Sequence, residues 1–84
     1  MNDDSRLDSL VVTFLSLKTK DEMRDFLTGI LTPQELIEIP TRLEIVKMLK
    51  SGVPQHRISE ELGVGIATVT RGSKELQKGR FKNI

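Results

Sequence analysis

Apolar residues along this chain recur at helical spacing almost from its start. Leu7, Leu10, Val11, Phe14 and Leu15 follow the i, i+3, i+4, i+7, i+8 template and predict an amphipathic helix to about Leu17. The polar lead Met1–Ser5 is expected to fray. Thr19 with Glu22 three residues on is a capping-box start for a second helix, which places Met23, Phe26, Leu27, Ile30 and Leu31 on one stripe. Thr32-Pro33-Gln34-Glu35 opens a third: Thr32 can cap, Pro33 suits the first helical position and Glu35 completes the box. This helix should run to about Lys50, where Ser51-Gly52 ends it, with a kink near Glu38–Pro40 because proline removes a backbone hydrogen bond. Its main stripe is Leu36, Ile39, Leu43, Val46 and Leu49. Ile37, Ile45 and Met48 widen the apolar surface beyond what one side needs, as expected of a central helix that touches both its own chain and a second one.

The stretch Gln55–Leu76, opened by Pro54, has a different character. Ile58 and Leu62 share one face of a short helix, Gly63-Val64-Gly65 breaks it, and a second helix starts near Ile66. At about 100° per residue, Val69, Gly72, Ser73 and Leu76 fall on the inner face of that second helix. The opposite face carries Ala67, Arg71, Lys74 and Lys78, flanked by Thr68 and Thr70. Small residues permit close approach, threonine can touch base edges or the thymine methyl, and arginine or lysine reaches guanine or phosphate. The pattern is that of a helix-turn-helix whose second helix reads the DNA major groove. A plain packing hairpin shares the helix–Gly–helix layout but does not require the Thr/Arg/Lys outer face.

Composition narrows the class further. Eighty-four residues make one small domain, read as a helical dimerisation core (1–52), the helix-turn-helix (53–78) and a basic tail (79–84). Three Phe, no Trp and no Tyr leave an aliphatic core, which commonly needs a partner, so a homodimer is expected. Without cysteine there is neither a disulfide nor a thiolate metal site. No run of 18 apolar residues and no charged-then-apolar leader appears, so a cytoplasmic, non-membrane protein is expected. The net charge of +1 hides an asymmetry. Residues 1–42 hold eight acids and five bases; residues 43–84 hold four acids and eight bases. The surplus coincides with the helix-turn-helix, as a phosphate-facing footprint would. The tail, with Lys78, Gly79, Arg80 and Lys82, is either a disordered end or a backbone-contacting extension. Nothing looks catalytic: His56 is the only histidine and the glycines match no phosphate-loop spacing.

LTP at 31–33, TR at 41–42 and LGVGIATVTRGSKEL at 62–76 resemble the tryptophan repressor family, nearest the short tryptophan-repressor-like proteins of the YerC/YecD type. The resemblance covers roughly Leu31 to Leu76. It implies an all-α fold with a helix-turn-helix, an intertwined homodimer, and reading heads that meet successive major grooves of double-stranded DNA. In corepressor-dependent members L-tryptophan wedges between the central and reading helices. The arginines flanking the indole there match Arg42 and Arg71, the threonine near the carboxylate matches Thr32, and a pocket glycine matches Gly72. The family's DNA-facing positions match Gln55, Ile66, Ala67, Thr68 and Thr70, beside which His56, Arg71 and Lys74 are candidate backbone contacts.

The departures fall mostly on the ligand. Glu75 replaces a serine that receives the ligand's amino group. It can pair with Arg71 four residues back, occupying it without any ligand, or bind the ammonium itself. Gly29 replaces a leucine near the pocket, His56 an arginine and Gln77 a lysine. The loop before Pro54 is one residue shorter, and the family's final helix has no counterpart. The reading is therefore a DNA-binding transcriptional regulator, most simply a repressor on a palindromic operator, with L-tryptophan as candidate corepressor. Two alternatives stand beside it: a ligand-independent DNA-binding regulator, and a helical protein-interaction module. The Thr and Lys of the outer face argue against the last, since interface cores favour aromatics and avoid lysine.

Overall fold

A computed structural model describes residues 3–84, and the described residues form five α-helices and no strand. They are α1 (Asp3–Ser16), α2 (Lys20–Ile30), α3 (Glu35–Lys50), α4 (Gln55–Leu62) and α5 (Ile66–Gln77). The chain divides into two compact units, 1–36 and 37–84.

In the first unit the helix signals act as local chemistry requires. Asp3 and Asp4 lie in the first turn of α1, where the exposed N–H groups favour negative charge. The lead is thus helical from Asp3 onward rather than frayed to Ser5; Met1 and Asn2 lie outside the described residues. Thr19 sits in extended backbone and its Oγ1 accepts from Glu22 N–H at 3.1 Å, capping α2. The return bond of this box comes from the Lys18 N–H to Glu22 Oε1 at 3.2 Å, one residue earlier than expected. Phe14 and Phe26 meet edge-on, with centroids 5.4 Å apart. Yet neither α1 nor α2 contains a buried residue, and Leu7, Val11, Val12, Leu15 and Ile30 are exposed. Thr32 and Glu35 close a reciprocal capping box: the Glu35 N–H donates to Thr32 Oγ1 at 3.1 Å and the Thr32 N–H to Glu35 Oε1 at 2.9 Å.

α3 runs as one helix through Pro40. Among the described residues the whole buried apolar core lies in the second unit: Ile45, Val46, Ile58 and Val69. Ile45 is 1% exposed, whereas Ile39 and Leu43 of the expected main stripe are more than two-fifths exposed. Val46 and Leu49 of that stripe do pack inward, and the buried side extends from them to Ile45, which meets Ile58 of α4 and Val69 of α5. Met48, Leu49, Val53, Leu62 and Val64 complete the packing around Ile45, Ile58 and Val69. The reversal between α4 and α5 depends on Gly63, which takes φ +64 and ψ +35 and donates its N–H to the Ser59 carbonyl. Gly65, by contrast, is extended. No helix among the described residues is long and apolar enough to cross a membrane.

With so few buried side chains, each carries a large share of the packing. Ile58→Ala should therefore cost roughly 2–5 kcal/mol, read as a lowered urea midpoint at fixed chain concentration. Leu15→Ala, at an exposed position of the lone chain, should cost far less in that second unit. Equal losses at the two positions would contradict the assignment of the core.

Candidate functional site

The site is organised by how closely α5 lies on α3. Val69 is fully buried, while Gly72, Ser73 and Leu76 on the same face are half-buried. A Cβ at position 72 would stand 3.3 Å from Ile45 Cγ2 and 3.5 Å from Leu49 Cδ1. A methyl there would require the Ile45 side chain to give by a few tenths of an ångström. The inner face predicted from periodicity is thus the face that packs.

The outer face is free of that packing. Ala67, Thr68, Arg71 and Lys74 are exposed, as is Ile66 at the first position of α5. A groove of about 400 Å³ along this face is bordered by Ala67, Thr70, Arg71, Lys74, Glu75 and Lys78. Thr70 is half-buried: its hydroxyl hydrogen is shared between Gln55 Oε1 at 2.9 Å and the Ile66 carbonyl at 3.0 Å. Gln55 and Thr70 are therefore brought together, as a bridge from the start of α4 to the first turns of α5. His56 stands next to that bridge in sequence and is exposed.

On the α3 side of α5 lies an open cleft of about 510 Å³. Arg42, Arg71, Gly72 and Glu75 all line it, with Ile39, Leu43, Ile45 and Val46 as apolar walls, and Ala67 and Thr68 of the expected DNA-facing set border it too. Among the described residues neither the Arg42 nor the Arg71 guanidinium makes a hydrogen bond or ion pair. Apolar walls beside two uncommitted guanidiniums suit an anion with an apolar body. Glu75 does not pair with Arg71 as its spacing allowed. Its carboxylate is taken instead by Lys78 at 3.3 Å and Arg80 at 3.6 Å. Thr32 belongs to the first unit, where its hydroxyl is engaged in capping α3. Gly29 is also in that unit, with open space where a Cβ would stand. No cluster of His, Asp or Glu able to hold a metal occurs among the described residues.

Two residues of the cleft region were not singled out by sequence. Phe81 lines the cleft, and Lys50 donates to the Phe81 carbonyl at 2.7 Å and also to the Ile84 carbonyl. A lone aromatic two residues after a glycine, in an otherwise basic tail, was the available signal.

Known proteins resemble this chain over most of its length. The profile of a family described as Trp repressor protein matches residues 5–83. A Trp operon repressor homolog of Vibrio vulnificus is 41% identical over 69 residues, covering 80% of this chain and 68% of that protein. One of Vibrio campbellii is 48% identical over 52 residues, 61% of this chain and 52% of its own length. The uncharacterized protein YerC of Bacillus subtilis is 36% identical over 73 residues, 87% of this chain and 70% of its own. No solved structure matches the chain.

The Gln55–Thr70 bridge yields a direct test. Thr70→Val removes the donor and should cost about 0.5–1.5 kcal/mol, while Thr70→Ser should retain most of it. Chemical denaturation of both variants reads the difference. A valine variant as stable as the serine variant would mean that the bridge does not tie α4 to α5.

Proposed function

This chain belongs to the Trp repressor protein family, and from that membership and the exposed face of α5 we propose that it is a sequence-specific DNA-binding regulator of transcription. The observation that carries the reading is the exposed surface of α5. Val69 and Gly72 pack inward, while Ala67, Thr68, Arg71 and Lys74 are exposed, the first three of them also bordering the cleft toward α3. A 12-residue helix with small residues and cations outward has the width and chemistry to enter a major groove. In this reading Thr68 touches base edges, Arg71 and Lys74 hold phosphates, and Ile66 and Ala67 allow close approach. Gln55 and Thr70, bonded to each other, set the angle between α4 and α5 and meet the DNA backbone with what acceptor capacity remains, beside His56.

The working form is a homodimer. Its support is the apolar surface that one chain leaves uncovered, above all Leu7, Val12 and Leu15 of a helix pair without a buried residue. Two reading heads then meet half-sites of a palindromic operator about 34–36 Å apart, and occupancy of that operator represses. The α3–α5 cleft is the place for an amino-acid effector, with L-tryptophan as the candidate corepressor. Arg42 and Arg71 would take its carboxylate and ring, beside Gly72 and Glu75. A second reading, a regulator that needs no ligand, is favoured by one observation: Lys78 and Arg80 already occupy Glu75.

The test is duplex binding as a function of salt. Lys74→Ala should weaken binding to all sequences alike and lower the slope of log K against log salt by about one. Thr68→Ala should instead relax the preference among sequences and leave that slope alone. If neither variant altered binding at matched salt, α5 would not be the reading helix.

A further inference from the structure

We propose that the segment 79–84 is a built-in strap over the α3–α5 cleft, and that Phe81 competes there with an aromatic amino acid. The inference rests on the reading of that cleft as a ligand site. α5 ends at Gln77, and Gly79, at φ +94, turns the chain back. Phe81 then adopts φ +63, a left-handed conformation that bulky side chains avoid. Among the described residues it is the one non-glycine held with positive φ. Something must hold it there.

The holding groups come from both walls of the cleft. From α5, Glu75 accepts the Arg80 N–H on its carbonyl at 3.1 Å, and its carboxylate pairs with the Arg80 guanidinium at 3.6 Å. From α3, Lys50 donates to the carbonyls of Phe81 and Ile84. The segment is thus pinned to the C-terminal ends of the two helices whose facing sides form the cleft. What it brings to the edge of that cleft, still 39% exposed, is the unit's single Phe, since Phe14 and Phe26 lie in the first unit and there is no Trp or Tyr.

The pins are solvent-exposed ion pairs and hydrogen bonds, which are individually weak and readily exchanged. Glu75 makes the strap responsive to a particular chemistry. It lines the cleft and also anchors Arg80. A ligand with an aromatic ring displaces Phe81, and its ammonium competes with Arg80 for Glu75. An aromatic amino acid therefore displaces both the Phe81 ring at the cleft edge and one of its anchors. The apparent dissociation constant of such a ligand is its intrinsic value divided by the fraction of molecules with the strap open.

Because the chain has no Trp or Tyr, the fluorescence anisotropy of L-tryptophan reports its binding without protein background. Native protein, Phe81→Ala and Lys50→Met would be titrated in parallel, with helix content checked by circular dichroism. A strap closed nine-tenths of the time predicts about tenfold tighter binding in both variants. Lys50→Met removes a pin without altering the cleft lining, so its gain separates release of the strap from a change of wall. Equal affinity in all three proteins would overturn the strap. Weaker binding in Phe81→Ala would overturn it too, making Phe81 part of the ligand's own wall. Absence of binding in all three would remove the ligand site and the strap together, and duplex binding by the same samples would report separately on the DNA-binding proposal.

Discussion

The absence of a side chain at Gly72 is the constraint on which the second unit depends. With only hydrogen there, α5 comes close enough to α3 that a Cβ would stand 3.3 Å from Ile45 and 3.5 Å from Leu49. Beside that approach, Val69 forms the small core together with Ile45 and Ile58. This packing also fixes what α5 shows to solvent, because a helix anchored along one stripe has no freedom to rotate. The turn at Gly63 does the same for α4, bringing Gln55 within hydrogen-bond distance of Thr70. The unit is held by a few close contacts rather than by a broad core.

Arg71 stands where the two surfaces of α5 meet. It borders both the outer groove and the cleft toward α3. Under the proposed function, one guanidinium therefore serves either a phosphate or an anion in the cleft, and occupancy of one bears on the other. Glu75 occupies the same boundary and is already engaged by Lys78 and Arg80. Coupling between ligand and DNA would need no long path through the protein, since both would touch adjacent turns of one helix.

The elements written in local chemistry were legible in the sequence. The caps at Thr19 and Thr32, the glycine stop at Gly63 and the inner face of α5 follow from short-range rules, and the structure has all of them. The family resemblance likewise holds, with its profile spanning residues 5–83. What could not be read was which of several apolar faces a helix would bury. α3 is apolar on more than one side, so periodicity favoured Leu43 while tertiary packing chose Ile45. Side-chain partners were equally beyond spacing rules: Arg71 lies four residues before Glu75, yet the carboxylate went to cations that follow it. Phe81 lay in a segment without periodicity, and its place in the cleft is set by Lys50, 31 residues earlier.

Selection from a randomised duplex library at one fixed salt tests most directly whether the exposed face of α5 reads DNA, as proposed. The proposed regulator should enrich a palindrome whose half-sites lie about one helical turn apart. Selection in the presence and absence of L-tryptophan then separates a corepressor switch from a ligand-independent regulator. A library that emerges unenriched under both conditions would contradict the claim and leave the α4–α5 pair as a surface for some other partner.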